Sequence, residues 1–149
     1  MPRARGGPRS RQRARELLIK ALYQWQLAGH SAAEIVEQFA ADERFERSDR
    51  EYFEALLPTV IDNAATLDET IARQAARGLD QLDAVGRAIL LLALAELKYR
   101  GDVPTKVVIN EAVELAKRYG AAESYKFVNA LLDRTARELQ RDGVAEAKA

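Results

Sequence analysis

The chain of 149 residues contains no cysteine, one histidine and four prolines. Without cysteine it can form neither a disulfide nor a thiolate metal site, and His30 alone cannot build an imidazole cluster. Its longest uninterrupted apolar run, residues 88–95, is far shorter than the roughly 20 residues that cross a bilayer. We therefore expect no disulfide scaffold, no metal site and no membrane association.

The groups that catalysis requires are scarce as well. Nucleophilic catalysis needs a hydroxyl or thiol beside a base, and the only histidine falls in a predicted loop between helices. Gly78, Gly86 and Gly101 are isolated, so the sequence has no glycine-rich phosphate loop. The sequence therefore predicts a protein that is not an enzyme and that uses no cofactor.

Helix-favouring residues dominate the remaining composition. Hydrophobic residues make up 48% of the chain and aromatic residues only 7%, while Ala, Leu, Glu and Arg are abundant, which favours helices over strands. The length suits one domain with a buried core. We predict an all-α fold, with a flexible basic arm at residues 1–9, one domain at 10–141 and a flexible tail at 142–149.

Hydrophobic periodicity and capping signals place three helices in the first part of the chain. The first runs from an N-cap at Ser10 to a stop at Gly29, and the second begins at a capping box of Ser31 and Glu34. The charged residues 42–49 are interpreted as a connection. A third helix over about 49–63 should kink or break at Pro58.

Four more helices are predicted beyond residue 63. The fourth ends near Gly78. The fifth begins near Asp83 and contains the segment 88–94, which is apolar on every face and predicts the central helix of the core. Pro104 suits the first position of the sixth helix and Gly120 its end. The last helix covers about 122–141.

Charge is distributed unevenly, although the formal net charge is zero. The first 20 residues contain seven basic residues and one acidic residue, a local charge of +6, so the rest of the chain carries −6. A basic segment on an acidic body is typical of a protein that contacts nucleic acid at one place. A solubilising tail and a transit peptide are the alternative interpretations.

Arginines on the first helix form the first candidate site. Arg9 and Arg13, like Arg11 and Arg15, are four residues apart and predict two basic rows beside the apolar stripe. Phosphate contacts there would supply affinity with little sequence information. Because we expect these rows to lie off the core, changing Arg11, Arg13 and Arg15 to Gln should hardly affect folding.

Two other places are candidates for binding. Tyr23 and Gln24 continue the polar side of the first helix and are expected to contact a partner. Lys126 and Phe127 lie near the start of the last helix, where the helix dipole favours a phosphate and an aromatic ring could stack on an unpaired base. Phe127 is also four residues before Leu131, so a place in the core is the alternative.

Three pairs of motifs, in this order, resemble the NusB family over residues 11–137. They are RARE at 13–16 with ALYQWQ at 21–26, DVP at 102–104 with KVVINEAVELAK at 106–117, and KFVN at 126–129 with LLD at 131–133. Two positions depart from the family pattern. Ala130 stands where glycine is common, and Gly86 stands on the expected partner side, where a charged or polar residue is common.

The resemblance implies about seven helices in two packed small bundles and a cytoplasmic, RNA-binding transcription antitermination factor. Such a factor binds the single-stranded boxA element of ribosomal RNA leaders together with a small-subunit ribosomal protein, NusE, in an RNA polymerase antitermination complex. The resemblance maps RNA contacts onto Arg11, Arg13 and Arg15, and further onto Lys126 and Phe127. Some family members also form homodimers.

Two other functions stay open at this point. The same helical domain precedes the catalytic domain of ribosomal RNA cytosine methyltransferases, but this sequence has no Rossmann-type pattern and no cysteine, so we do not expect that activity. The other alternative is a helical protein-interaction module that has no RNA role.

Overall fold

The computed structural model describes residues 7–75 and 82–141, and every regular element within them is a helix, which confirms the all-α prediction. Most of the predicted arm, the helix end near Gly78 and the predicted tail lie outside the described residues. The helices are α1 (Pro8–Ala28), α2 (Ala32–Phe39), α3 (Glu43–Glu46), α4 (Arg50–Asp62), α5 (Ala64–Gln74), α6 (Ala84–Tyr99), α7 (Thr105–Tyr119) and α8 (Ser124–Glu138).

The chain divides into two compact units, Met1–Asn63 and Ala64–Ala149. The first is built around α1 and α4, and α2 contacts both. Leu18 and Leu22 of α1 are fully buried. The ring of Phe53 lies 5.6 Å from that of Phe39 and 5.3 Å from that of Phe45, centroid to centroid. Such tilted and edge-on arrangements suit aromatic rings, and this cluster forms part of the core of the first unit.

Two predicted capping signals in this unit, the capping box at Ser31 and the stop at Gly29, are confirmed. The Ser31 hydroxyl accepts from the Glu34 N–H at 3.2 Å, and the Glu34 carboxylate accepts from the Ser31 N–H at 2.9 Å. Gly29 ends α1 with φ 73°, in the left-handed region that favours glycine. The carboxylate of Asp49 accepts from the Tyr52 N–H and starts α4. Each signal satisfies backbone groups that a helix end leaves without partners.

Two helix starts differ from the prediction. α1 begins at Pro8, with Gly7 as N-cap instead of Ser10, because a proline at the first helical position already has the φ of a helix. The predicted arm therefore does not extend to residue 9. α7 begins at Thr105, so that Pro104 is its N-cap residue and not its first helical residue.

The predicted connection at 42–49 contains the short helix α3. The Asp42 carboxylate accepts from the Arg44 N–H at 2.8 Å, and Phe45 is fully buried, so one cap and one apolar side chain are enough to hold a single turn. Of the predicted kink or break at Pro58, the break is wrong, because α4 continues through this residue.

The second unit surrounds α6, as predicted. From Ala88 to Ala95 no side chain of this helix is more than 1% exposed, and α5, α7 and α8 all contact it. A helix that is apolar on every face has to be covered on every face. Arg87 of α6 also donates to the carboxylate of Asp68 of α5, at 2.6 Å. Of the described helices, none combines the length and the apolarity that a membrane span requires.

Arg141 closes the C-terminal end of α6. Its buried guanidinium donates to four backbone carbonyl oxygens at 3.0 to 3.1 Å, those of Glu96, Leu97, Arg100 and Val103. The last carbonyls of a helix have no partners within the helix, and a cation is favourable at this end of the helix dipole. One side chain therefore caps α6 and fixes the chain that follows α8.

We expect Arg141→Ala to lower the free energy of unfolding by roughly 2–4 kcal/mol, because several buried carbonyl groups lose a charged donor at once. Arg137→Ala is the matched control, since its exposed pair with Asp133 contributes at most about 0.5 kcal/mol. Denaturant unfolding of both variants measures the difference. Equal stability of the two variants would contradict a capping role for Arg141.

Candidate nucleic-acid interface

Arg11 and Arg15 of α1 both pack against Tyr52 of α4. Their guanidinium carbons lie 4.0 Å and 5.7 Å from the centroid of the Tyr52 ring. Arg11 also donates from Nε and Nη2 to the carboxylate of Asp49, at 3.3 Å and 3.2 Å. Arg15 is only 3% exposed. These two arginines are therefore part of the contact between α1 and α4.

This contact corrects the sequence interpretation of the basic rows. Asp49 is the buried N-cap of α4, and its own N–H donates to the Ser10 carbonyl at 3.0 Å. A buried carboxylate is costly without a compensating cation, which Arg11 supplies. The expectation that Arg11 and Arg15 lie off the core is wrong, and we therefore expect their replacement to affect folding.

Arg13 points to a different side of α1, since it is two residues from each of these arginines. Its Nη1 donates to the Arg47 carbonyl at 3.4 Å. It lines a small open groove of about 120 Å³ between α1 and α3, which we call the α1–α3 groove. The groove is lined by Arg13, Glu16, Leu17, Lys20, Arg44 and Arg47, four of which are cations.

The cations of the α1–α3 groove differ in their partners. Arg44 donates from Nε and Nη2 to Asp42 at 3.1 Å and 2.6 Å, and these bonds, with that from its backbone N–H, lower the pKa of Asp42 to about 2. Asp42 is thus ionised at neutral pH and remains paired with Arg44. In the described ranges, neither Lys20 nor the side chain of Arg47 forms an ion pair or hydrogen bond.

Sequence reasoning missed Arg44 and Arg47 as members of a basic surface, because residues 42–49 were interpreted as a connection. The signal was an Asp two residues before Arg44, which is typical of a helix cap, followed by the apolar Phe45. Recognising α3 would have placed Arg44 on a helix and Arg47 at its C-terminal cap.

The two predicted partner contacts, Tyr23 and Gln24, have different surroundings in the structure. Tyr23 is 42% exposed, and Leu27, one turn further along α1, is 67% exposed. Gln24 instead exchanges two hydrogen bonds with Gln38 of α2, at 2.8 Å and 3.2 Å. An exposed tyrosine and leucine on one helix face offer apolar area to a partner, whereas Gln24 connects α1 to α2.

Lys126 and Phe127 lie in the first turn of α8, in the second unit. Lys126 is exposed, with Nζ 2.6 Å from the Glu123 carboxylate. Phe127 is half-buried and lines an open, mainly apolar pocket of about 220 Å³ together with Leu82 and Gly86. The ring therefore belongs neither to the fully buried core nor to the open surface.

The two departures from the family pattern have different surroundings. A Cβ atom at Gly86 would lie 2.8 Å from Cδ1 of Leu82, so a side chain there would displace the leucine at the pocket. Ala130 is exposed on α8, and its methyl group therefore obstructs no close helix contact. Among the described residues, no group of three or more His, Asp or Glu side chains is arranged to hold a metal ion.

We expect Arg11→Ala to lower the free energy of unfolding by roughly 1–2 kcal/mol, because Asp49 would lose its compensating cation and Tyr52 its stacked partner. Arg13→Ala, two residues away, should stay within about 0.5 kcal/mol of the parent. Denaturant unfolding measures both, and combining Arg11→Ala with Asp49→Asn should give less than the sum of the separate losses. Additive losses would show that the two side chains are not coupled.

Comparisons with known proteins agree with this architecture. The family model described as the NusB family matches residues 12–137. The transcription antitermination protein NusB of Alcanivorax borkumensis is 46% identical over 141 residues, which cover 95% of this chain and 94% of the relative. That of Yersinia enterocolitica is 49% identical over 129 residues, covering 87% and 94%.

Solved structures show the same fold. The chain resembles NusB of T. maritima with a TM-score of 0.75 at 31% identity, over 96% of this chain and 99% of that one. It also resembles a chain of the crystal structure of antitermination factors NusB and NusE in complex with dsRNA, with a TM-score of 0.78 at 26% identity, over 89% and 99%. On the extent of the family match and of these identities, the chain belongs to the NusB family.

Proposed function

We propose that this protein is an RNA-binding transcription antitermination factor that binds the boxA element of ribosomal RNA leaders together with the small-subunit ribosomal protein NusE. The observation that carries the proposal is the match, in sequence and fold over nearly the whole chain, to antitermination proteins that include one solved with NusE and RNA. We place its action in the cytoplasm, within the RNA polymerase antitermination complex.

On α1 we assign the direct phosphate contact to Arg13. It is the member of the predicted arginine set that is neither stacked on Tyr52 nor paired with Asp49, and it lies beside further cations of the α1–α3 groove. Arg11 and Arg15 hold α1 against α4 and thereby position that surface. Contacts of this kind supply affinity and register, and little sequence information.

On α8 we assign base stacking to Phe127 and a phosphate contact to Lys126. The start of α8 carries no side-chain cap, and the N–H groups of Ser124 and Lys126 donate to the carbonyls of Ala121 and Glu123 at 3.0 Å and 3.1 Å. The positive end of the helix dipole still favours a phosphate there. A half-buried ring next to a cation suits an unpaired base with its phosphate. On binding RNA, the Lys126 ammonium group would leave the Glu123 carboxylate and pair with a phosphate.

We assign the NusE contact on α1 to the exposed face of Tyr23 and Leu27. Burying an exposed tyrosine and leucine stabilises a protein contact more than a surface charge does. Gln24 supports this face through its two hydrogen bonds to Gln38. We assign no catalytic step to any residue, and homodimerisation is a further state that would compete for exposed surface.

Binding of RNA and of NusE should be cooperative. We expect saturating NusE to raise the affinity for single-stranded boxA RNA, and RNA to raise the affinity for NusE by the same factor, since coupling between two ligands is reciprocal. Fluorescence titrations in both directions measure the factor, with a scrambled single strand as the control. Equal affinity with and without NusE would contradict joint binding.

The same titrations separate the competing functions. If no RNA binds even at low salt, with or without NusE, the protein is an interaction module and the RNA function is wrong. Methyl transfer to ribosomal RNA, on addition of a methyl donor, would indicate the methyltransferase alternative.

Arg13→Gln should weaken RNA binding while folding stays intact. Each phosphate contact to a single strand contributes roughly 0.7 to the slope of log affinity against log salt, so this slope should fall by about that amount. Arg137→Gln, which removes one positive charge from α8, is the control. Unchanged affinity and slope in Arg13→Gln would place the phosphate contact of α1 elsewhere.

A further inference from the structure

We propose that the α1–α3 groove binds the phosphate backbone of the RNA strand that flanks the recognised element, through Lys20, Arg44 and Arg47. The inference rests on the proposed RNA-binding function and extends it, since none of these three residues belongs to the motifs that carry the family resemblance. It assigns this chain a second stretch of RNA contact that starts at Arg13.

The first argument is the local charge. Four of the six residues that line the groove are cations, and Glu16 is the only acid among them. Arg13 and Lys20 belong to the basic first 20 residues, and Arg44 and Arg47 add two cations from the part of the chain that carries a net charge of −6. A concentration of cations in a groove attracts a polyanion.

The second argument is that the groove cations are available. Arg44 is 58% exposed although it is paired with Asp42, and Arg47 is exposed. Within the described parts of the chain, Lys20 and the Arg47 side chain have no ion-pair partner. By contrast, the guanidinium of Arg50 packs over the Phe45 ring at 5.0 Å. Arg44 is thus held by Asp42, whereas Lys20, which acts on Asp42 only at longer range, and Arg47 are held in no ion pair.

The third argument is the geometry of α1. Arg13, Leu17 and Lys20 are spaced i, i+4, i+7 and lie on one face of the helix. Arg13 and Lys20 are therefore about 10 Å apart along the axis, two helical turns. An extended strand can place successive phosphates along such a row, with the aliphatic Leu17 between the two cations.

A nucleic acid fits these observations better than an acidic protein segment. Arg13, the proposed phosphate contact, lines the groove. An RNA strand bound at Arg13 would therefore lie next to the other groove cations. The groove is small, about 120 Å³, and Leu17, its one apolar lining residue, is buried, so it offers little apolar area to anchor a peptide. A phosphate backbone needs only the cations.

The test compares two variants with the same change in charge. Lys20→Gln/Arg47→Gln removes two groove cations, and Lys106→Gln/Arg137→Gln removes two exposed cations of α7 and α8. Each is titrated, with the parent, against the boxA element alone and against the element with its flanking nucleotides, over a range of salt concentrations. Thermal unfolding checks that all three proteins are equally folded.

For the flanked RNA, the groove variant should lose about 1.4 of the salt slope, twice the roughly 0.7 of one phosphate contact. For the short element, the groove variant should have the same affinity and salt slope as the parent. The control variant should match the parent on both RNAs.

A parallel titration with polyglutamate, a stand-in for an acidic protein segment, completes the test. Three outcomes would overturn the inference: a groove variant equal to the control on both RNAs, an equal loss on the short and the flanked RNA, or loss of polyglutamate binding with RNA binding intact. The last would identify the groove as a site for acidic protein segments. Failure of the parent itself to bind either RNA would instead refute the proposed function on which the inference rests.

Discussion

The packing of Arg11 and Arg15 on Tyr52 decides which basic residues of the first unit are left to bind a ligand. Asp49 is the buried N-cap of α4, and Arg11 compensates its charge while the flat guanidinium stacks on the neighbouring ring. Two arginines near the start of α1 are thereby used to hold α1 against α4. Only cations on other sides of this helix are left for a ligand.

In the second unit the corresponding constraint is the burial of α6. A helix without a polar face has to be enclosed by its neighbours, and its C-terminal carbonyls then lie where water cannot satisfy them. Arg141 meets this need from a position 44 residues beyond Leu97. The two units thus share one device, a guanidinium that satisfies the end of a helix distant in sequence, at the N-cap of α4 and at the C-terminal end of α6.

Seven of the eight helices of the described residues could be predicted, because periodicity, the stop at Gly29 and the capping box at Ser31 are local signals that neighbouring residues determine. α3 could not, because its four residues contain only one buried side chain. The role of Arg11 could not be predicted either, since its partner Asp49 is 38 residues away. The spacing of Phe127 from Leu131 was compatible with a place in the core or on the surface. In the structure its ring is half-buried at a pocket.

Counting the arginines of this motif therefore overestimates the number of phosphate contacts that it provides. Arg13 and Arg15 look equivalent in the sequence, yet Arg15 is almost completely buried, while Arg13 lines an open groove. A loss of RNA binding on replacing Arg15 would report on the integrity of the first unit as well as on binding. Arg13 separates the two effects, because its side chain can lose its charge while the contact between α1 and α4 stays intact.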